Sequence, residues 1–469
     1  MATLNRPHAL LLPFPAQGHV NPMMQLSTIL SARSFYITFV NTEYIHDRML
    51  KSGSTKSMAD FRFETIPDGF PLEHSRTHNE LSEVCKSMVD ICPAHLEKVV
   101  DKLKGKSDVP PLTCIVYDGC MSWAQKTAIK LGVPGISFWT PSACGFYLYL
   151  SAPLLMEKGY IPLKDQSYLT NGYMEEEISC IPGMPLLRMK DVPSFYYDAT
   201  NYIFEFLITQ TQVGMSADLV LINTFDELEG PVMEALRDRL PVYSIGPLLE
   251  AEQKNGLSNS FASLWTEEKS CVQWLDDQEP GSVVYVCFGS VTVMSDQELE
   301  EFAWGLEGSK QPFLWVIRPD LVHGTSAKLP MEFVKKVKGR SFFVSWAPQL
   351  EVLCHPSVGG FLTHSGWNST IESICAGVPM ICWPFFAEQQ INRTYVSQIW
   401  KIGIAMNDVV EKREVEEMVK RLMIGKEGEE MRRRIGEVRD ASIRAVNKGG
   451  SSYNNLEKVL LKMEGKYRI

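Results

Sequence analysis

No stretch of the 469 residues approaches the run of about 20 apolar residues that spans a bilayer. The apolar run Ala9–Phe14 is too short for the core of a secretory signal and ends in prolines. No CxxC pair occurs among the eleven cysteines, and Cys114, Cys287 and Cys382 sit in apolar strand-like runs, where a free thiol packs as a small hydrophobe. That usage implies a reducing compartment, the cytosol, and excludes a disulfide framework. Without a secretory signal, the glycosylation patterns Asn368-Ser369-Thr370 and Asn392-Arg393-Thr394 are chance matches. Basic charge is in deficit: 46 Lys and Arg stand against 56 Asp and Glu, for a net charge of -10. This excludes broad nucleic-acid binding, which displaces counterions with basic patches. It leaves room for one phosphorylated small ligand, because a helix N-terminus binds an anion locally. No GxGxxG follows the first strand and no GxxxxGK[ST] occurs, which argues against a dinucleotide enzyme and a P-loop kinase.

What is present is the composition of a soluble globular protein, 45% hydrophobic and 22% charged, in a chain long enough for two domains. His8–Pro15 reads as a buried strand, Gln17-Gly18-His19 as a loop, and Asn21-Pro22 as a helix cap with proline at the first helical position. Met23, Leu26 and Leu30 carry the apolar stripe of that helix, and Tyr36–Val40 is the next strand. Such a βαβ unit implies parallel pairing. Cys114–Tyr117 leads through Asp118 into a helix ending near Leu131. Strands follow over Ser282–Phe288, Phe313–Ile317, Phe342–Ser345, Gly360–Thr363 and Met380–Trp383. Ile129–Pro134 before Gly135–Phe138, and Ile374–Pro379 before Met380–Trp383, share one grammar of helix end, glycine cap, proline stop and strand. Pro247–Ser263 is polar and lacks apolar periodicity, as a linker does, and Glu411–Arg444 has the charge of surface helices. The fold class is α/β, with two doubly wound parallel-sheet domains.

In such sheets ligands bind beyond the carboxyl ends of strands, at a switch in strand order. Gly18-His19, Asp118, Gly289-Ser290, Trp346–Gln349 and His364–Ser369 all follow strands. Gly366 permits close backbone approach, and a helix starting near Ser369 would offer amides to a diphosphate. Ser369-Thr370-Ile371-Glu372 also reads as a capping box that needs no ligand. Trp346 is a flat face for a base or a core residue, Ser290 a phosphate contact or a turn serine. His19 and Asp118 are a base with its orienting acid, or a helix-entry histidine and an N-cap.

The 44 residues from Trp346 to Gln389 run from Trp-Ala-Pro-Gln, through His364-Ser365-Gly366-Trp367-Asn368-Ser369, to Glu388-Gln389. End to end they are similar to the signature box of plant family 1 UDP-dependent glycosyltransferases, the secondary-product glucosyltransferases. Pro15–Pro22, reading PAQGHVNP, and the overall length agree, so the resemblance covers nearly the whole chain. It implies the GT-B fold, with two Rossmann-like domains facing across a cleft: 1–247 for the acceptor, 264–450 for the UDP-sugar, 248–263 as linker, and a helix in 451–469 packing back on the first. His19 matches the family's catalytic base and Asp118 the acid that orients it. On the donor side the carry-over gives Gly18, Ser290, Trp346 with Ala347 and Gln349 at the uracil and ribose, His364, Gly366, Trp367, Asn368 and Ser369 at the phosphates and sugar, Glu372 at the ribose, and Glu388 and Gln389 at the sugar. Glu388 stands where many members have Asp, one methylene shorter; Trp367 and Gln389 fit glucose. Thr140, Ser142, Phe146, Tyr147, Phe195 and Phe204 are candidate acceptor-lining residues, though aromatic clusters of this kind also form ordinary cores.

The function so implied is inverting transfer of glucose from UDP-glucose to a hydroxyl or carboxyl of a lipophilic metabolite, terpenoid, iridoid or phenolic, by a cytoplasmic monomer. No metal and no cofactor is expected, since neither HExxH nor an Asp-x-Asp near the donor box is present. The alternatives are a non-catalytic UDP-sugar-binding protein, which would not need both His19 and Asp118, and a nicotinamide-dependent oxidoreductase, for which only Glu43 after the second strand speaks.

Overall fold

Short apolar runs buried on both faces are the mark of parallel strands covered by helices. In the computed structural model they form two such sheets. It describes residues 6–465 apart from 54–59, 75, 77–79, 199, 255, 257–262 and 323–326. These divide into two units, one of residues 1–264 with 442–469 and one of residues 265–441.

The first unit holds β1 (His8–Leu12), β2 (Tyr36–Thr42), β3 (Phe61–Ile66), β4 (Cys114–Asp118) and β5 (Gly135–Trp139), then a two-strand ribbon of β6 (Glu177–Ile178) and β7 (Leu187–Arg188), then β8 (Leu219–Ile222) and β9 (Val242–Ser244). Seven of them make one parallel sheet in the order β3-β2-β1-β4-β5-β8-β9. Each of β1, β4 and β5 is buried along its whole length. Even His8 is inside, its ring nitrogens 2.7 Å from the Pro110 carbonyl and 2.8 Å from the Thr38 hydroxyl, and burial lowers its pKa to about 4. The helix Ser451–Met463 belongs to this unit, where Asn455 Nδ2 donates to the Ser244 carbonyl at 3.0 Å.

The second unit holds β10 (Val283–Cys287), β11 (Phe313–Val316), β12 (Ser341–Val344), β13 (Val358–Thr363), β14 (Met380–Cys382) and β15 (Gly403–Ala405), parallel in the order β12-β11-β10-β13-β14-β15. Val284, Val286, Phe302, Trp315, Phe333 and Leu362 anchor its core. Strand order reverses at the first strand of each sheet, between β1 and β4 and between β10 and β13, so each unit has one switch point. The repeated grammar is real at the backbone level: Gly132 and Gly377 both end their helices in the left-handed region, at φ 69° and 76°.

Three expectations change. The first helix runs from Gln17 to Ala32, so Gly18 and His19 lie in its first turn and Pro22 lies inside it. Its start needs no side-chain cap, because the amides of His19 and Val20 donate to the Ala16 carbonyl at 2.9 Å. The helix Trp367–Ala376 starts two residues before Ser369, with Gly366 as its N-cap, so the capping box does not form. The first seven residues of the expected linker are a helix, Leu248–Lys254, with Leu248, Leu249 and Ala251 buried; 257–262 lie outside the described residues.

Candidate active site

In the first unit the switch point gathers three side chains from three strand ends. Asp118 is the last residue of β4 and 1% exposed; His19 follows β1, and Thr140 follows β5. His19 Nδ1 lies 2.8 Å from Asp118 Oδ2 and 3.0 Å from Thr140 Oγ1. The other Asp118 oxygen accepts the Cys120 amide at 2.9 Å, which fixes the carboxylate's orientation. With Nδ1 facing a carboxylate, the favoured tautomer carries its proton there and leaves the lone pair on Nε2. The imidazole is 23% exposed, so that lone pair belongs to a reachable group with base character. His19, Asp118 and Cys120 also form the one trio of His, Cys or acidic residues among those described whose donor atoms lie within 4.8 Å of one another.

The other residues expected near an acceptor are mostly inward. Ser142 is fully buried and caps the helix Ala143–Leu150 by accepting the Gly145 amide at 3.1 Å. Phe146 packs on Trp139 at 4.8 Å, Phe204 meets Tyr196 edge-on at 5.7 Å, and Tyr147 is buried with the Arg239 guanidinium 5.9 Å from its ring centre. Phe195, in the turn Ser194–Tyr196, is half-buried. A carboxylate that no sequence motif marks supports this wall. Glu229, 1% exposed, accepts the amides of Ala143 and Cys144 at 3.0 and 2.8 Å, closing the same helix from outside.

In the second unit, the loop after β10 and the turn after β13 close on His364. Gly289, at φ +72°, and Gly366 approach its ring so nearly that a methyl on either would sit 2.5 Å from Nε2. Burial, helped by the charge of Arg318, lowers the His364 pKa to about 4, so the ring is neutral at physiological pH. Arg318 is 2% exposed and escaped the sequence reading because it simply follows an apolar strand. Its guanidinium donates to the Gly289 carbonyl and, at 2.6 Å, to that of Thr292, and Nε donates to Asp320 Oδ1 at 3.0 Å. That grip sets the loop carrying half-buried Ser290. Asn392 does the same for the facing turn, donating to the Ser365 carbonyl at 3.0 Å, where Ser365 has φ +63°.

Trp367, Asn368 and Ser369 supply the first amides of the helix, which point out of its positive end. Ser369 is not a cap: its hydroxyl accepts Gln349 Nε2 at 2.8 Å, and the same nitrogen donates to Glu372 Oε2 at 2.6 Å. Gln349 is held from its other end by Tyr285, whose hydroxyl donates to Oε1 at 3.2 Å. Trp346 stacks on Trp265 with ring centres 5.5 Å apart, and Ala347 is buried. Glu388 is half-buried at the start of the helix Gln389–Thr394; Gln389 Oε1 accepts the amides of Phe385 and Phe386 at 2.8 and 3.1 Å.

Burial pushes the Glu372 carboxyl up to about 7, against the donation from Gln349. The folded state therefore binds this proton more tightly than the unfolded chain. The stability involved is fully present below about 4.5 and is lost as pH rises through about 7. Glu372→Gln is expected to raise the urea midpoint at pH 8 and to leave it close to wild type at pH 4; an equal shift at both would contradict this.

Residues 248–438 match the family model described as UDP-glucoronosyl and UDP-glucosyl transferase, and residues 8–63 match glycosyltransferase, N-terminal domain. Over 465 residues, 97% of each chain, the protein is 49% identical to 7-deoxyloganetin glucosyltransferase of Gardenia jasminoides. This chain belongs to the UDP-dependent glycosyltransferases. It is also 46% identical to (R)-mandelonitrile beta-glucosyltransferase of Prunus dulcis, over 99% of this chain and 98% of that one. Among solved structures, O. sativa Os79 in complex with UDP matches with a TM-score of 0.83 and 29% identity, over 97% of this chain and 100% of that one. The glycosyltransferase therefore has the expected GT-B class, with its two parallel sheets. Membership removes the oxidoreductase and the binding-only readings. Among the described residues of this glycosyltransferase, no helix is long and apolar enough to cross a membrane.

Proposed function

We propose that this chain transfers glucose from UDP-glucose, with inversion, to a hydroxyl or carboxyl group of a small lipophilic plant metabolite, of the terpenoid or iridoid kind first and phenolic second. The observation that carries the mechanism is the His19–Asp118–Thr140 cluster at the first switch point. The Asp118 carboxylate accepts from His19 Nδ1 and keeps the proton on that nitrogen, and Nε2 takes the proton of an acceptor hydroxyl as its oxygen attacks the anomeric carbon. The imidazolium so formed is stabilised by the buried carboxylate. A carboxylic acceptor is already ionised and asks less of His19.

The bond to UDP breaks in the same step, and negative charge grows on the leaving diphosphate. The amides of Trp367, Asn368 and Ser369, with the neutral His364 ring and the Ser290 hydroxyl, are the groups suited to meet it. Trp346, backed by Trp265, takes the uracil; Ala347 and Gln349 line it, and Glu372 accepts from the ribose. Glu388 and Gln389 take the glucose hydroxyls. Thr140, Ser142, Phe146, Tyr147, Phe195 and Phe204 shape the acceptor wall, the buried ones from behind. The terpenoid or iridoid preference rests on the relatives' names. The eleven cysteines are free thiols, as a reducing compartment such as the cytosol keeps them, and the enzyme works there as a monomer.

A mass-spectrometric screen of UDP-glucose, UDP-galactose and UDP-glucuronate against terpenoid, phenolic and carboxylic acceptors tests this. A hexose-sized gain from UDP-glucose is expected; preferred transfer from UDP-glucuronate would overturn the donor assignment. No step above needs a metal, so transfer is expected to continue unchanged in EDTA. Loss of activity on chelation, restored by a divalent ion, would contradict that.

A further inference from the structure

We propose that His19, Asp118 and Cys120 form a site for a thiophilic divalent cation of the zinc type, and that occupancy shuts the enzyme off reversibly. Imidazole, carboxylate and thiolate are the three donor types zinc accepts, and here they come from three side chains beyond the ends of two paired strands, β1 and β4. Asp118 closes β4, and Cys120 follows it in the turn Gly119–Ala124, tied to the carboxylate by its own amide at 2.9 Å. His19 meets the other carboxylate oxygen at 2.8 Å. The donor atoms lie within 4.8 Å of one another. Zinc bonds of about 2.0–2.3 Å place tetrahedral donors about 3.3–3.8 Å apart. Closure of up to about 1.5 Å at Cys120, and a smaller opening of the His19–Asp118 pair, are needed, which the half-buried side chains of His19 and Cys120 can supply by torsional changes.

The charges close as well. A divalent cation with one carboxylate and one thiolate is neutral, and binding releases the single thiol proton to solvent. The imidazole gives up no net proton: its Nδ1 hydrogen moves to Nε2 when the cation takes the Nδ1 lone pair. That exchange consumes the lone pair on which proton abstraction depends. Three protein ligands leave a fourth position open, so a water or an acceptor oxygen completes the shell. No other such trio exists among the described residues.

Binding does not depend on the catalytic reading, whereas inhibition rests on His19 being the base, and the test separates the two. Co2+ is titrated into the full-length protein without substrates, and Zn2+ into the transfer assay, for wild type, C120A and C120S. Wild type is expected to give a thiolate-to-cobalt absorption band and tetrahedral cobalt bands, and to lose transfer to Zn2+, recovering in EDTA. Both variants lack the thiolate band, and each needs at least about tenfold more Zn2+ than wild type to halve its own metal-free rate. No thiolate band in wild type, or equal inhibition of all three, overturns the proposal. A cobalt site that vanishes in C120A and C120S while wild type transfers at full rate with the cation bound upholds the site and overturns His19 as the base.

Discussion

His19→Ala is expected to lower kcat by about 10²–10⁴-fold, the usual worth of a positioned general base, while UDP binds as tightly as before. The reason is the separation of tasks along the sequence. The imidazole is held by Asp118 and Thr140 in the first unit, and the residues assigned to the nucleotide, apart from Gly18, lie in the second. Asp118→Asn should cost a large part of the same factor, because an amide can present its NH2 to Nδ1 and favour the tautomer that puts the proton on Nε2, where the base must be free. The comparison also sorts acceptors. A hydroxyl acceptor should show the full loss and a carboxylate a smaller one, since it has no proton to surrender. Calorimetry of UDP beside steady-state transfer measures both quantities; equal loss of UDP binding and of rate would remove His19 from the role given to it.

Arg318→Met is expected to destabilise the protein by about 2–6 kcal/mol and to weaken UDP binding by at least about tenfold. The first figure follows from leaving two carbonyls, buried Thr292 and half-buried Gly289, without their donor, at about 1–3 kcal/mol each. The second follows from what those carbonyls hold, the loop that places Ser290 and presses Gly289 against His364. Arg318→Lys should recover only part of either, because an ammonium lacks the planar fork that reaches two carbonyls and Asp320 together. Urea midpoints and UDP titration measure the two effects. A stable Met variant with unchanged UDP affinity would show that the loop holds its shape without the guanidinium.

The strands were legible because a strand buried between helix layers must be a short apolar run. Every strand read from the sequence is present, with ends displaced by at most three residues, as His8–Leu12 against His8–Pro15 shows, while β3, β8, β9 and β15 went unread. Residues after strand ends were legible as candidates for the same topological reason. What was not legible depended on contacts distant in sequence. Asn21-Pro22 resembles a cap, yet the helix starts at Gln17 because backbone amides find the Ala16 carbonyl instead. Ser369 and Glu372 have capping-box spacing, but Gln349, twenty residues earlier, takes both side chains. The sequence marks Thr140 only as a candidate acceptor-lining residue, and the adjacency of β4 and β5 is what brings its hydroxyl beside His19. Arg318 and Glu229 carry no motif: each is a charge that holds two backbone groups, and backbone groups leave no trace in a sequence. The roles of the donor-box residues came from family resemblance, which periodicity and composition do not supply.

The most direct test of the account is the anomeric configuration of the product, read by proton NMR from the coupling of the sugar's anomeric hydrogen. UDP-glucose carries an α linkage, so direct displacement by an acceptor oxygen deprotonated at His19 predicts a β-glucoside with a large coupling. An α-glucoside formed by the wild-type enzyme would contradict single-step attack and the mechanism built on it.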